Sequence, residues 1–440
     1  ANGNRTSYFY DVRGNLTAID DPRGNRISVQ YDALGRLTNV LDALGNETRY
    51  EYDELSQVRR IVPPGGLDIT TLTYDLEGNI VSASQPGNRE YLYSRDSLGR
   101  IISVTNPLGQ STLYSYNNIG LVGRTVNALG NEQNYLWNGA SRLVQYTSPD
   151  GKRYAYAADA IGRLTAITDV ALDSQIAVNT RIEYDPSGYI SAIRQGTSGN
   201  INGENAILYQ YGYDAAGRLT RFQSPEAESP WQFSYDANGN LVLAVDPQGM
   251  QTRYEYDAVG NVTRVIRAAG TEEEAVERYE YDEAGNMVAY TAPDGLLTRY
   301  EYDVNNRLIA VTEITDDESR SIRYEYDAQG RITLVTNPQQ HTTEIRYDIG
   351  NILVTRALDE STSLEHRYFF DEINNLTRIV LPGQQTINMT YNLLGQRVRY
   401  IDAETNGWSY AYDSAGRLTQ ISDPQGNFVT YAYDGADRIS

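Results

Sequence analysis

The chain has no cysteine and only two histidines, three methionines, three tryptophans and six phenylalanines among its 440 residues. Without cysteine, disulfides and thiol catalysis are excluded. No run of about 18 apolar residues occurs, so we expect no membrane span. Basic residues are outnumbered, because 37 Lys and Arg stand against 58 Asp and Glu, for a net charge of −21. This charge argues against a nucleic-acid or anionic-membrane partner.

Tyrosine is the aromatic residue that the chain does contain, with 37 copies against six of phenylalanine. A dry core favours Phe and Leu, whereas Tyr suits a face whose ring is packed and whose hydroxyl reaches water. We therefore expect a tyrosine-rich face with hydrated hydroxyl groups.

The tyrosines recur with a fixed period. The stretch Arg253-Tyr-Glu-Tyr-Asp-Ala-Val-Gly-Asn-Val262 is repeated with variation along the whole chain, and we call the position of its Asp257 the Asp slot. Twelve of the 19 intervals between Asp slots are 21 residues, and the other seven are longer. A fixed period with insertions indicates a repeat array. The 20 slots are Asp11, Asp32, Asp53, Asp75, Asp96, Asn117, Asn138, Asp159, Asp185, Asp214, Asp236, Asp257, Asp282, Asp303, Asp327, Asp348, Asp371, Asn392, Asp413 and Asp434.

Residues on both sides of the Asp slot predict strands. Tyr254 and Tyr256 are two residues apart, so in a strand they share one face while Glu255 points to the other. Beyond the slot, the aliphatic Val262 and Val265 are three residues apart. They would lie on opposite faces of a regular strand, so this second strand either is apolar on both faces or carries a β-bulge.

Two turns complete each unit. The residue three after the Asp slot is Gly in 14 copies, which predicts a left-handed turn position and a turn that the Asp side chain caps. The other six copies have Ser56, Ser141, Asn306, Asn351, Asn374 and Asp437 there. A second turn, such as Asp21-Pro-Arg-Gly24, has type I turn chemistry. Each unit thus reads strand, turn, strand, turn, which predicts roughly 40 antiparallel strands and almost no helix.

The sequence offers no catalytic, cofactor-binding or metal-binding constellation. The recurring Asp residues occupy the same turn position in nearly every copy, which indicates a structural role. Neither His341 nor His366 has a second histidine at ligand spacing. The charged insertions Thr271–Glu274 and Asp316–Glu318 lack the alternation of a calcium loop. We interpret both, and the Gly-rich segment Gly196–Asn205, as surface loops. We predict that the chain is not an enzyme and needs no cofactor or metal.

The repeat resembles a known family. The pattern Tyr-x-Tyr-Asp-x-x-Gly-Arg-Leu-x-x-Val is complete at Tyr410–Ile421, with Ile for Val, and partial in nearly every copy. It is similar to the RHS or YD repeat, which occurs in bacterial Rhs polymorphic toxins, in the B and C components of insecticidal Tc toxins and in animal teneurins. The resemblance covers essentially all 440 residues. It implies an all-β fold in which antiparallel β-hairpins form a spiralling sheet strip, as a hollow shell or part of one.

The resemblance also implies a function. Residues 1–440 would be a single array of about 20 repeats, and we expect a fragment of a larger protein because neither end looks capped. The implied role is a structural encapsulation shell of a secreted or cell-surface bacterial toxin-delivery protein. Its partner would be an enclosed C-terminal toxin or effector domain, or neighbouring parts of the same polypeptide. The alternative is a cell-surface module that binds carbohydrate or protein, but the absence of cysteine favours the bacterial shell.

One family property does not transfer. Complete bacterial members resemble one another in a C-terminal core segment with an Asp-Pro-x-Gly motif, which self-cleaves in many of them. Here that motif occurs only within repeat turns, at 21–24, 185–188, 246–249 and 423–426. The sequence therefore gives no basis for autoproteolysis in this chain.

Overall fold

Short antiparallel strands build the protein, in a computed structural model that describes residues 4–170, 178–197, 206–358, 362–434 and 437–439. Those ranges contain no helix. Their 39 strands belong to one sheet, which confirms the all-β prediction. The strands, β1 to β39 in chain order, are Ser7–Tyr10, Leu16–Asp20, Arg26–Tyr31, Leu37–Leu41, Glu47–Tyr52, Val58–Val62, Thr70–Tyr74, Ile80–Gln85, Arg89–Arg95, Ile101–Thr105, Ser111–Tyr116, Val122–Val126, Glu132–Trp137, Leu143–Thr147, Arg153–Ala158, Leu164–Val170, Val178–Tyr184, Ile190–Thr197, Ile207–Tyr213, Leu219–Gln223, Trp231–Tyr235, Leu241–Val245, Gln251–Tyr256, Val262–Arg267, Ala275–Tyr281, Met287–Thr291, Leu297–Tyr302, Leu308–Ile314, Ser319–Tyr326, Ile332–Thr336, Thr342–Asp348, Asn351–Ala357, Ser363–Phe370, Leu376–Val380, Thr386–Tyr391, Arg397–Ile401, Gly407–Tyr412, Leu418–Ser422 and Phe428–Thr430.

Each repeat is a hairpin with a β-bulge next to its first turn. Between β23 and β24, Tyr254 pairs with Val265, and Tyr256 pairs with Val262. The pairing skips one residue of β24, so both valines face the same side as both tyrosines. The same shift occurs in at least 17 hairpins of the described chain. The bulge is therefore the correct alternative of the two that the aliphatic spacing left open.

The first turn has the left-handed position that the sequence predicts. In the turn after β23, the N–H of Gly260 donates to the carbonyl of Asp257 at 3.2 Å, and the Gly260 φ is 97°. The Oδ1 atom of Asp257 accepts from the N–H groups of Val259 and Asn261, both at 2.9 Å. The residue three after the Asp slot has a positive φ in 19 of the 20 repeats. Non-glycine residues occupy it at Ser56, Ser141, Asn306, Asn374 and Asp437.

Asn351 is the one slot where this prediction is wrong. Asp348 pairs directly with Asn351 in the β31–β32 hairpin, so the turn is only Ile349 and Gly350 and the strands have no bulge. Gly350 takes the positive φ instead, at 75°. This two-residue turn is shorter than the other first turns. Strand β32 begins at Asn351, a position that lies inside the turn in the other repeats.

The second turns use the same hydrogen bonds as the first. In the turn between β2 and β3, the N–H of Gly24 donates to the Asp21 carbonyl at 2.9 Å, and the N–H of Asn25 donates to Asp21 Oδ1 at 2.8 Å. The i to i+3 bond confirms the predicted β-turn. First turns and second turns alternate along the chain, so they lie at opposite edges of the strip, which we call the first-turn edge and the second-turn edge.

Two of the three predicted surface loops lie within the described residues, and both are where the sequence predicts them. Thr271–Glu274 and Asp316–Glu318 are exposed at second turns, which confirms that they are solvated loop tips. Most of the predicted loop Gly196–Asn205 lies outside the described residues.

The sheet has almost no dry core. No large side chain in the described ranges is fully buried, and the buried apolar residues are mostly small, as in Ala18, Ala192, Ala289 and the fully buried Ala310. In the described ranges the strands form one sheet, and most of their side chains are half-buried. Cross-strand contacts within the sheet must then supply most of the stabilisation.

The strands group into two compact units. The first unit comprises Ala1–Tyr93, Asn106–Leu108 and Thr252–Thr386. The second comprises Ser94–Thr105, Gly109–Gln251 and Ile387–Ser440. Each unit therefore combines segments that are distant in the chain.

Replacing Gly35 by valine tests the left-handed turn position. Gly35 has a φ of 81°, and a Cβ added there would have open space around it, so any cost must come from the backbone conformation. We expect Gly35→Val to lower the free energy of unfolding by about 1–3 kcal/mol, since a β-branched residue resists positive φ. Gly35→Asn, which is the control, should cost clearly less in urea melts. Equal costs for Val and Asn would contradict the assignment.

Candidate functional surface

The paired tyrosine slots form a half-buried face of the sheet. In β23, Tyr254 and Tyr256 are half-buried while Arg253 and Glu255 are exposed. Neighbouring strands extend the aromatic contacts, as where the Tyr279 and Tyr290 rings lie 5.3 Å apart. The predicted tyrosine-rich face is confirmed, and aliphatic residues such as Val262 and Val265 share it.

The hydroxyl groups of one tyrosine slot do not point to water as the composition suggested. The donor is the aromatic residue directly before the Asp slot. The acceptor is a backbone carbonyl of the preceding repeat, that of the first residue in its second strand. Tyr52, for example, donates to the Leu37 carbonyl at 2.7 Å. At least eleven residues make this bond, at 2.5–3.0 Å, among them Tyr52, Tyr74, Tyr116, Trp137, Tyr184, Tyr235, Tyr281, Tyr302, Tyr326, Tyr412 and Tyr433. The expectation failed for this slot because the bond depends on how one repeat lies beside the preceding one, which composition does not show.

Arginine links each turn to the next repeat. Arg36 follows the left-handed position, and its Nε donates to Asp32 Oδ2 at 2.6 Å. Its guanidinium lies 4.5 Å above the ring of Tyr52, one repeat further on. The same stacking recurs in seven repeats, at 4.3–5.0 Å, for Arg36, Arg100, Arg163, Arg218, Arg307, Arg331 and Arg417. Each such Arg adds a cation–π contact to the turn's ion pair.

The ionisation of these groups reflects the turn and the packing. The N–H of Arg36 and its guanidinium, against a smaller opposing effect of burial, hold the pKa of the Asp32 carboxyl below its usual value. Burial raises the pKa of Tyr52. Burial, followed by the hydrogen bond to Glu277, raises the pKa of Tyr279 to about 12. The turn carboxylates are therefore stabilised as anions and the face tyrosines as neutral phenols.

Removing one hydroxyl from the face tests the bond between repeats. Tyr52→Phe should lower the free energy of unfolding by about 0.5–1.5 kcal/mol, because the Leu37 carbonyl loses its donor. Tyr50→Phe is the matched control, since the Tyr50 hydroxyl makes no hydrogen bond in the described chain. Equal effects of the two substitutions in denaturant melts would reject the structural role of the hydroxyl.

In the first unit, the two edges of the strip meet. Second turns of residues 21–68 lie against first turns of residues 282–331, roughly 260–280 residues later in the chain. Asn305 Nδ2 donates to Asp42 Oδ2 at 2.7 Å, and the N–H of Ala43 donates to Asn305 Oδ1 at 3.0 Å. We call this junction the first-unit seam. At this seam, the side chain of Asn305 in a first turn pairs with polar groups of the second turn that contains Asp42.

Arginine strengthens the same seam one hairpin away. Arg23 Nη2 donates to the Asp303 carbonyl at 3.0 Å, and its Nη1 lies 3.4 Å from Asp282 Oδ2. Arg23 also donates to Asn306 Oδ1. A single residue of one second turn therefore bridges two consecutive first turns.

The second unit has its own junction of distant turns. Lys152 Nζ lies 2.5 Å from Asp437 Oδ1, and Arg417 Nη2 lies 3.0 Å from Asp150 Oδ2. Burial opposes ionisation of Asp437, but hydrogen bonds from Lys152 and Arg417 outweigh it and lower its pKa. Asp169 is buried nearby, and burial raises its pKa. Sequence reasoning missed these seam residues because no local pattern shows which turns meet.

Asn305 tests the first-unit seam directly. We expect Asn305→Ala to lower the free energy of unfolding by about 1–3 kcal/mol, because it removes a bond to a charged carboxylate and leaves the Ala43 N–H unpaired. Asn305→Asp should cost more, since it sets a second carboxylate against Asp42. The control is Asn238→Ala, because Asn238 occupies the same turn position and its side chain makes no hydrogen bond in the described chain.

If Asn305→Ala and Asn238→Ala lowered stability equally in urea melts, the seam would contribute nothing and its assignment would be wrong.

A cavity lies where the irregular hairpin meets the seam. It measures about 310 Å³ and is lined by residues that include Asp68, Arg89, Arg331, Tyr347 and Phe370. The described residues hold no group of three His, Cys, Asp or Glu side chains suited to a metal. His341 is exposed in a second turn, and His366 stacks on Tyr368.

Within the described ranges, no helix is long and apolar enough to cross a membrane.

These features define a class of protein, in which YD-type hairpins form one sheet and turns of distant repeats bond to each other within each unit. A family model for the teneurin YD-shell matches residues 165–268 and 249–435, which is more than half of the chain. A model for the RHS repeat matches residues 1–26, 31–68 and 95–132. The chain belongs to the teneurin YD-shell family, with RHS repeats in its N-terminal part.

Solved structures of Tc toxin components share the fold. The crystal structure of TcdB2-TccC3 without its hypervariable C-terminal region matches with a TM-score of 0.76 and 16% identity, over 98% of this chain and 27% of that one. TcdB2-TccC3-Cdc42 gives a TM-score of 0.74 at 16% identity, over 98% and 27%. A Tc holotoxin pore of Photorhabdus luminescens with a substituted TccC3 gives 0.73 at 15% identity, over 98% and 27%.

The chain thus spans about a quarter of the length of these solved chains. A search of curated protein sequences returned no match.

Proposed function

We propose that this chain is a wall segment of an encapsulation shell, which encloses a C-terminal toxin or effector domain of a secreted bacterial toxin-delivery protein. The observation that carries the proposal is the seam. Asn305, Asp42 and Arg23 join turns of the strip that are more than 260 residues apart. Edge contacts of this kind close gaps between neighbouring stretches of a sheet, which a wall requires and a free binding surface does not.

The single-layer architecture supports the same role. A globular binding or catalytic domain buries its apolar face under a second layer. Here the strip has almost no buried large side chains, and its strength comes from repeated hydrogen bonds and cation–π contacts. Such a sheet covers a large area with few residues, as a container does.

The comparisons support the setting of the proposal. The family model carries the description of a shell, and the similar solved structures are toxin complexes. In the proposal, the partner of the wall is the enclosed domain or neighbouring parts of the same polypeptide, and the chain acts without catalysis and without a cofactor.

Limited proteolysis of the parent protein, with its natural C-terminal continuation attached, tests the proposal. We expect the C-terminal domain to resist added protease while the wall is intact, because the wall excludes the protease. A variant with a weakened seam, Asn305→Asp, should expose that domain much faster, and Asn238→Ala should behave like the unaltered protein.

Rapid digestion of the C-terminal domain while the repeat region stays intact would contradict encapsulation. That result would favour a cell-surface module that binds carbohydrate or protein.

A further inference from the structure

Asp169 is a buried carboxylate beside the junction of distant turns in the second unit. It lies near the end of β16 and is 5% exposed, and its Oδ1 atom has no hydrogen-bond partner in the described chain. Tyr154 of β15 is directly opposite, and the described pairing with β17 ends at Asn179, which carries no charge. Burial removes much of the hydration of an ionised carboxylate, and here no hydrogen bond to Oδ1 replaces it. Asp169 is therefore easier to hold as a neutral acid than as an anion.

The cations beside this carboxylate are already shared. They belong to a group that we call the second-unit junction, which comprises Asp150, Lys152, Arg417 and Asp437. Lys152 Nζ lies 2.5 Å from Asp437 Oδ1 and 3.9 Å from Asp150 Oδ2. Arg417 Nη2 lies 3.0 Å from Asp150 Oδ2 and 2.7 Å from Asp413 Oδ2. Each cation thus serves at least two carboxylates, and the buried carboxylate lies outside these pairs.

One cation and two anions act on Asp169. Burial raises the pKa of Asp169, and Lys152 opposes that rise. Asp437 and Asp150 add to it, because like charges repel. Burial and the same carboxylates also raise the pKa of Tyr154 to about 12, so its phenol stays neutral. Neutralising Asp169 therefore relieves repulsion within the second-unit junction.

We propose that protonation of Asp169 strengthens the second-unit junction, which is thereby a latch that tightens in mild acid and loosens toward neutral pH. The neutral acid no longer repels Asp437 and Asp150, and the two cations then neutralise the remaining carboxylates more completely. Lys152 and Asp437 are 285 residues apart in the chain, so the latch acts on a contact between distant repeats. This proposal does not depend on whether the chain encloses a cargo.

Two carboxylates set the pH range of the latch. Burial opposes the ionisation of Asp437, but hydrogen bonds from Lys152 and Arg417 outweigh it and lower the pKa. The stabilisation by Asp437 is therefore present above the ordinary carboxyl range and is lost as the pH falls through the lowered pKa. Because the pKa of Asp169 is raised, its stabilisation is complete below the ordinary value and is lost as the pH rises through the raised pKa. The latch should be firmest near the ordinary pKa of an aspartate, about 3.9, and weaken on both sides.

The composition of the chain provides a local probe of the junction. Lys152 is the only lysine among the 440 residues, so protein made with ¹³C-labelled lysine gives a single side-chain NMR signal. The position of that signal responds to the ionisation of nearby carboxylates. In a titration from about pH 8 to about pH 3, we expect one step above the ordinary carboxyl range, from Asp169, and one below it, from Asp437.

Two variants assign the upper step. Asp169→Asn keeps the size of the side chain and removes its carboxyl group, so the upper step should disappear while the lower one remains. The control is Asp317→Asn, which removes the same charge from an exposed loop in the first unit and should keep both steps.

Urea melts of the same proteins measure the effect on stability. At about pH 7, Asp169→Asn should unfold at a higher urea concentration than the unaltered protein, because the amide has no charge to bury. This advantage should shrink as the pH falls to about 4, where Asp169 is protonated. Each unit by which the pKa of Asp169 is raised corresponds to about a tenfold change in the folding equilibrium. Asp317→Asn should show no such trend.

Any one of three results would overturn the proposal. The lysine signal of the unaltered protein could show no step above the ordinary carboxyl range, which needs no variant to decide. The upper step could persist in Asp169→Asn, which would assign it to another group. The difference in urea midpoint between Asp169→Asn and the unaltered protein could also be the same at both pH values.

Discussion

The turn at each Asp slot is the constraint on which the rest of the structure depends. A carboxylate such as that of Asp257 accepts two backbone N–H groups, and the turn needs a left-handed residue such as Gly260. The closed turn imposes the bulge that follows it. The bulge brings Val262 and Val265 to the same face as the tyrosines, so a local turn decides which face of the sheet is apolar.

The same turn connects each repeat to its neighbours in two directions. Along the strip, Arg36 bonds to Asp32 and stacks on the next repeat's Tyr52. Across the strip, the turn tips meet the tips of distant repeats, as Asn305 meets Asp42. A sheet with almost no dry core is thereby held by short-range bonds that recur in every repeat, with a smaller number of long-range bonds at its edges.

The sequence predicted the local structure well because each repeat contains the residues that determine its strands and turns. Strands, turns, the left-handed position at Gly260 and the absence of helix from the described ranges follow from residue type and spacing. The sequence did not distinguish a β-bulge from a strand that is apolar on both faces. It also predicted the left-handed residue of one turn at Asn351 instead of Gly350. There the glycine stands two residues after Asp348 instead of three, and the turn closes one residue earlier.

The residues that sequence reasoning missed take part in contacts between repeats. The hydroxyl of Tyr52 bonds to a carbonyl 15 residues earlier, and Asn305 bonds to a carboxylate 263 residues away. The first could have been noticed from the preference for Tyr over Phe, since only Tyr brings a donor. The second has no sequence signal, because Asn305 and Asn238 occupy the same turn position and only one of them meets another turn.

The absence of cysteine makes a direct test of the seam possible, since an introduced pair has no competing thiols. Ala43→Cys combined with Asn305→Cys should form a disulfide under mild oxidation and migrate faster on a non-reducing gel, because these two residues are in contact. Ala43→Cys with Glu372→Cys, three first turns further along, should not. Equal cross-linking of the two pairs, or none in either, would contradict a strip that is sealed by its own turns.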